Sequence, residues 1–172
     1  MEQLTWGFIG TIVGALVGAS ASIVTTVLNT KNTHSLQKKL DLAKKEERHK
    51  EFQCNNLMLL QDELSSNMRL FFRVHLSDIA YYRQNPAPNK RPLIPEDLDV
   101  SIRESNQKLS ILTERVEDDT LRADIDNCRN LLTKVSLATS ESESSYAISE
   151  ATQILSKLME NLGVHIRNLY KV

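Results

Sequence analysis

The feature that most constrains this chain is an uncharged apolar segment close to its N-terminal end. Residues 4–28, LTWGFIGTIVGALVGASASIVTTVL, contain no Asp, Glu, Lys or Arg. As an α-helix these 25 residues would reach about 37 Å, at roughly 1.5 Å per residue. The hydrocarbon core of a bilayer is about 30 Å thick. The segment therefore predicts one transmembrane helix, with Trp6 near an interface, where aromatic rings are common.

The residues that flank this segment predict its orientation. Residues 1–3 would be a short extracytoplasmic N-terminus, and residues 29–51 a basic juxtamembrane stalk. The stalk lysines nearest the span are Lys31, Lys38, Lys39, Lys44 and Lys45. Lys and Arg concentrate on the cytoplasmic side of a span, so we expect a cell-membrane protein with its N-terminus outside and its C-terminal domain cytoplasmic. The same lysines are expected to attract anionic membrane lipid.

A cleaved signal peptide is the alternative interpretation of the apolar segment. Ala19-Ser20-Ala21 has the A-x-A form of a cleavage site. The preceding residues lack the Lys or Arg of a signal peptide, and the apolar run continues beyond the site to Leu28. These features favour a retained signal-anchor, and the sequence leaves cleavage open.

Small residues recur at every fourth position within the predicted span. Gly10, Gly14, Gly18 and Ser22 would lie on one side of a helix. Small residues let membrane helices approach closely, so that van der Waals contacts between backbones hold them together. This spacing predicts transmembrane packing between copies of the chain, and hence a homo-oligomer.

The remainder of the chain has the pattern of amphipathic helices. Residues 29–35 are predicted as a short polar exit, followed by a helix to about Arg83, and the prolines of residues 84–95 mark a loop. Apolar positions recur at spacings of three and four: Leu57, Leu60, Leu64, Met68, Phe71, His75, Ile79 and Tyr82; Leu98, Ile102, Ser105, Leu109, Leu112 and Val116; Leu121, Ile125, Cys128, Leu132 and Val135; Ile148, Ala151, Leu155, Leu158, Leu162 and Leu169.

Four such segments with short links predict an antiparallel helical bundle. The expected fold is all-α: one N-terminal transmembrane helix, a helical stalk, and a cytoplasmic helical bundle over residues 52–172. Because the apolar stripes are narrow, a second copy or a coiled-coil partner is expected to complete the core.

No pattern of residues predicts a catalytic, cofactor-binding or metal site. The net charge of -1 argues against nucleic acid as a partner, because neutralising phosphates requires a basic excess. Glu46 and His49 form a single E-x-x-H, whereas a di-iron bundle needs this motif on two helices. Cys54 and Cys128 are expected to be buried thiols rather than a disulfide framework. The chain is therefore expected to bind no cofactor and not to be an enzyme.

One short motif keeps an enzymatic alternative open. Arg69-Leu-Phe-Phe-Arg-Val-His75 resembles the R-x5-H motif of helical ribonucleases of the HEPN type. The resemblance implies that Arg69 and His75 would bind and cleave RNA, usually across a dimer. It covers seven residues and departs from the family at Leu70, where a polar residue is common.

These observations predict a membrane-anchored interaction or assembly protein with an unidentified protein partner. A second expectation is a membrane-perturbing or pore-forming effector, of the kind found among toxins and phage-defence proteins. The HEPN-like ribonuclease is the third.

Overall fold

The computed structural model describes the backbone of residues 2–85 and 92–171, with side chains from residue 10 onward except at position 12. Four helices account for most of this part: α1 (Glu2–Gln84), α2 (Glu96–Glu114), α3 (Asp119–Leu137) and α4 (Glu141–Tyr170). No strand occurs in the described ranges. The chain divides into two compact units, Met1–His49 and Lys50–Val172. The predicted all-α class is confirmed.

Helix α1 is continuous through residues 29–35, where the sequence predicted a short polar exit before the long helix. This stretch contains no Gly or Pro to end a helix. Its threonine hydroxyls donate to their own helix: Thr30 to the carbonyl of Thr26 at 2.8 Å, and Thr33 to that of Asn29 at 2.8 Å. These bonds satisfy the polar groups without unwinding the backbone.

Polar side chains cap the first turns of α3 and α4, whereas α2 begins without a side-chain cap. Helix α2 follows Pro95, and α3 begins after Asp118, whose carboxylate accepts from the amide of Leu121 at 2.8 Å. Ser140 caps α4 by accepting from the amide of Glu143 at 3.2 Å. Thr139 donates to Glu143 from its amide and its hydroxyl, and these bonds lower the pKa of the Glu143 carboxyl.

Within Lys50–Val172, hydrogen bonds between helices establish the directions of the bundle. Asn67 bonds to Ser105, and Asn56 bonds to the carbonyl of Leu112. Helix α2 therefore runs in the direction opposite to α1. The same inversion relates α1 to α4, because Gln61 donates to the carbonyl of Met159 and His75 bonds to Ser144. Neighbouring helices are thus antiparallel, as predicted.

The core of the bundle consists of the predicted apolar stripes. All of their residues are buried except four that are half-buried: Met68, Ile79, Leu112 and Leu169. The structure adds Val74, Leu131 and Ala147, which the stripes did not include. The sequence therefore predicted both the fold class and most of the core.

Candidate functional site

The apolar part of α1 lies unburied in the first unit. Seven large apolar side chains are between 49% and 64% exposed: Val13, Leu16, Val17, Ile23, Val24, Val27 and Leu28. This helix is long and apolar enough to cross a membrane, and none of its most apolar window is buried within the chain. A core helix of a water-soluble protein would bury such a stretch. Trp6 lies outside the described side chains.

The small residues of this segment form an open strip along the helix. A methyl group added at Gly10, Gly14 or Gly18 would meet nothing within 4 Å, and Ser22 is exposed. Four residues advance an α-helix by about 400°, or one turn plus about 40°, so the four positions follow one side. The first unit therefore leaves room for another helix against this strip.

The hydroxyl groups of the segment bond to its own backbone. Ser20 donates to the carbonyl of Leu16 at 2.8 Å, Thr25 to that of Ala21 at 2.9 Å, and Thr26 to that of Ser22 at 2.8 Å. Each hydroxyl proton is thereby satisfied four residues back along the helix. The polar side chains of the segment consequently remain compatible with a lipid environment.

A basic surface follows the apolar segment along the same helix. Residues 31–50 carry seven Lys or Arg against three acids, an excess of four positive charges. The five lysines of the predicted lipid-facing set are all exposed: Lys31, Lys38, Lys39, Lys44 and Lys45. Lys31, Lys38 and Lys45 are seven residues apart, which places them along one side of α1. Their ammonium groups are thus available to anionic groups outside the chain.

A buried polar cluster joins α1 to the first turns of α4. His75, Asp78 and Ser144 are 7%, 2% and 0% exposed. The Ser144 hydroxyl donates to the Asp78 carboxylate at 3.2 Å. His75 Nδ1 lies 2.9 Å from the Ser144 hydroxyl oxygen. Since the hydroxyl has one proton to give, Nδ1 of His75 must carry the hydrogen in this bond. The cluster is a structural link between two helices.

The motif that resembles HEPN ribonucleases does not bring its two residues together within this chain. Arg69 is exposed, whereas His75 is buried and bonded to Ser144. Six residues turn a helix by about 600°, so the two side chains point about 120° apart. His75 also packs edge-on against Phe72, with ring centroids 5.8 Å apart. This is the environment of a core histidine.

Burial of His75 should make the bundle less stable in mild acid. Desolvation lowers its pKa below the ordinary 6.5, and the charges of Asp78 and Glu141 offset this only in part. The unfolded chain therefore binds a proton more readily than the folded chain as the pH falls through 6.5, so acid favours unfolding. We expect the urea midpoint in detergent to fall from pH 7.5 to pH 5.5.

A His75→Gln variant should show a smaller decrease between these two pH values, because its side chain does not titrate. The exposed His34 provides the matched control, and His34→Gln should retain the wild-type decrease. Equal pH dependence in wild type and His75→Gln would contradict this assignment.

A second polar layer crosses the middle of the bundle between α1 and α2. Asn67, which is 0% exposed, donates to Ser105 Oγ at 2.9 Å and to Asn106 Oδ1 at 3.2 Å. Ser105 in turn donates to Glu63 at 2.6 Å. The Asn67 side-chain oxygen is buried without a partner, at a cost of about 1–3 kcal/mol. The layer favours one register of the two helices, because only this pairing satisfies its other groups.

Sequence reasoning did not find Asn67, Asp78 or Ser144. Asn67 follows Leu64 by three residues and precedes Phe71 by four, so the spacing already placed it on the buried stripe. A polar residue at such a position is the detectable signal. The partners across the helices were not detectable, because they depend on which helices become neighbours.

The remaining chemical groups are consistent with structural roles. Cys54 and Cys128 are free and buried, and desolvation raises the pKa of the Cys128 thiol to about 11. A concave site of about 340 Å³ is lined by four apolar residues and by Gln53, Glu117, Asp118, His165 and Asn168. Among the described residues, no three His, Cys, Asp or Glu side chains are grouped so as to hold a metal ion.

No family model, curated protein or solved structure matches the chain.

Proposed function

We propose that this chain is a single-pass membrane protein that anchors a cytoplasmic helical bundle, residues 52–172, and acts as an interaction and assembly module. The observation that supports this is the unburied apolar stretch from Val13 to Leu28. Large contiguous apolar surfaces are rare on soluble monomers and mark contact with membranes or other proteins. A single helix satisfies its own backbone hydrogen bonds, as a bilayer requires.

The basic surface supports a cytoplasmic location for the bundle. Its excess of four positive charges within residues 31–50 follows the apolar segment, whereas residues 1–3 contain no Lys or Arg. Positive residues near a span remain on the cytoplasmic side. Each Lys near an anionic leaflet adds about 1 kcal/mol of attraction. Lys31 would therefore lie closest to the acidic lipid headgroups, and the attraction of Lys38, Lys39, Lys44 and Lys45 would decrease with their distance along the helix.

The glycine strip supports self-association within the membrane. Its open space accommodates the backbone of a second helix, and close packing replaces the hydrophobic effect that lipid removes. The hydroxyls of Ser20, Thr25 and Thr26 are bonded to their own helix. An oligomer of such helices has few free polar groups for lining a pore, which favours an assembly module over a pore-forming effector.

Replacing Gly14 by Ile should weaken this association without disturbing the chain itself. A Cβ atom at position 14 would meet nothing within 4 Å beyond the adjoining backbone of its own helix, so we expect the added side chain to act on a neighbouring helix. We expect disulfide formation between copies carrying Asn29→Cys to decrease about tenfold, the equivalent of about 1.4 kcal/mol. Asn29 suits the reporter because it continues the strip, seven residues after Ser22.

Val13→Leu provides the matched control, since Val13 is already 54% exposed and lies beside the strip. This variant should cross-link like the parent, and both variants should remain in the membrane fraction. Undiminished cross-linking in Gly14→Ile would show that the strip is not the contact between copies.

A further inference from the structure

A shallow groove runs along the outside of the bundle between α1 and α4. It has a volume of about 550 Å³ and is lined by Phe72 on one side and by Ser149, Thr152, Ser156 and Lys157 on the other. The Phe72 ring is 47% exposed. Ile148 and Gln153 also line the α4 side, on which Lys157 is the charged residue. A ridge of apolar and acidic side chains from another helix would fit this shape and charge.

The outer face of α2 presents such a ridge. Val100 and Ile111 are 41% and 47% exposed, and Glu104 is exposed between them. These three positions lie on the opposite side of the helix from the buried residues Ile102 and Leu109. An exposed apolar pair on a helix that already buries its other face has no function in the core.

The hydrogen bonds of the bundle give the position of this ridge along the bundle axis, which is called its height and is stated as the α1 residue at the same level. Ser105 bonds to Asn67, so Glu104 lies close to the level of Asn67 on α1. The carbonyl of Leu112 accepts from Asn56, so Ile111 lies close to the level of Asn56. Because α2 is antiparallel to α1, Val100 lies higher, near the level of residue 70.

The groove covers the heights of Val100 and Glu104, whereas Ile111 lies below its lower end. The bond from Gln61 to the carbonyl of Met159 places Lys157 about one half-turn above Gln61. The bond between His75 and Ser144 places Ser149 near the level of residue 70. A second bundle standing beside the first at equal height would thus bring Val100 to Ser149, and Glu104 to the level between Arg69 and Lys157.

We propose that the α1/α4 groove of one copy receives the outer face of α2 from a second copy. Glu104 forms no ion pair with another described residue, and neither Arg69 nor Lys157 is paired within the described ranges. The docked ridge would place the Glu104 carboxylate between these two cations. The two surfaces differ, so the contact is heterologous and leads to rings or rows of copies. It goes beyond the glycine strip, because it assigns an interface to the bundle.

Confinement to one membrane should allow this contact to form even though it buries little surface. One helix in a shallow groove buries less surface than a standard stable interface. Copies held in one bilayer with the same orientation meet at a high effective concentration and at equal height. The contact is therefore expected in vesicles containing the full chain and should be much weaker in dilute detergent.

Mixed cysteine cross-linking tests the proposal in vesicles that contain the full chain. One tagged population carries Ser149→Cys and the other carries Val100→Cys; the native Cys54 and Cys128 are 3% and 0% exposed. We expect disulfides between the two tags. Ser149→Cys paired with Asp124→Cys, on an exposed position of α3, provides the matched control. A Ser149–Val100 yield no higher than this control, or a dominant link between two Ser149→Cys copies, overturns the proposal.

Charge exchange supplies a second readout. Glu104→Lys in the Val100→Cys copy should lower the yield by about threefold, within the range for a partly exposed ion pair. Lys157→Glu in the Ser149→Cys copy should do the same, and combining the two altered copies should recover the yield. Loss without recovery contradicts the contact. If Ser149→Cys and Val100→Cys fail to cross-link while Asn29→Cys copies still do, the bundle contact is wrong and association through the glycine strip is retained. If Asn29→Cys copies fail to cross-link while Ser149→Cys and Val100→Cys still do, the bundle contact is retained and the glycine strip is not the membrane contact.

Discussion

Replacing Phe71 by Ala should lower the free energy of unfolding of the bundle by about 3–5 kcal/mol. The Phe71 side chain is 2% exposed and belongs to the main apolar cluster. Its removal deletes buried apolar area and leaves a cavity that helices cannot fully close. A domain of this size is stable by about 5–15 kcal/mol, so the variant should lose a large part of its stability. Urea unfolding in detergent, followed by circular dichroism, measures the change.

The adjacent Phe72 provides a control of the same residue type. Its side chain is 47% exposed, so Phe72→Ala should change the free energy of unfolding by less than about 1 kcal/mol, as expected for a surface position. Similar losses in the two variants would contradict the assignment of buried and exposed faces in the second half of α1.

The core was predictable because helical periodicity is a local property of a sequence. Leu60, Leu64 and Phe71 recur at the spacing of one helix face, and the structure buries all three. The prolines after Gln84 and the acidic residues after Pro95 marked the end of one helix and the start of the next. No knowledge of neighbouring helices was needed for these predictions.

The features that sequence reasoning missed depend on contacts between distant residues. Gln53 donates to the carbonyl of Arg115 at 3.1 Å and Asn56 to that of Leu112 at 3.0 Å, which satisfies carbonyls at the end of α2. Such pairs require the bundle topology before they can be recognised. Helix α1 continues through the polar residues 29–35 because this stretch contains no helix-breaking residue.

Two arginines at the centre of the apolar segment should release the protein from the membrane. Val17 and Ala21 lie near its middle and are exposed, so neither substitution disturbs a contact within the described chain. Each Arg at the centre of a span costs about 2.5–3.5 kcal/mol of insertion free energy. We expect Val17→Arg with Ala21→Arg to move most of the protein out of the carbonate-resistant membrane fraction.

The control for this prediction is Val17→Leu with Ala21→Leu, which keeps the segment apolar and should leave the protein in the membrane. If the double Arg variant fractionates with the membrane as fully as this control does, the segment is not what anchors the chain.

Labelling of cysteines on the two sides of the bilayer tests whether the apolar segment is a retained span with a cytoplasmic bundle. Single cysteines at Gln3 and Ser35 flank the apolar segment, and a membrane-impermeant maleimide labels only the side that it reaches. We expect Gln3→Cys to react in intact cells and Ser35→Cys to react only after permeabilisation, in both cases above the wild-type background from Cys54 and Cys128. Reaction of Ser35→Cys in intact cells, or a mature protein that lacks residues 1–21, would contradict a retained span with a cytoplasmic bundle.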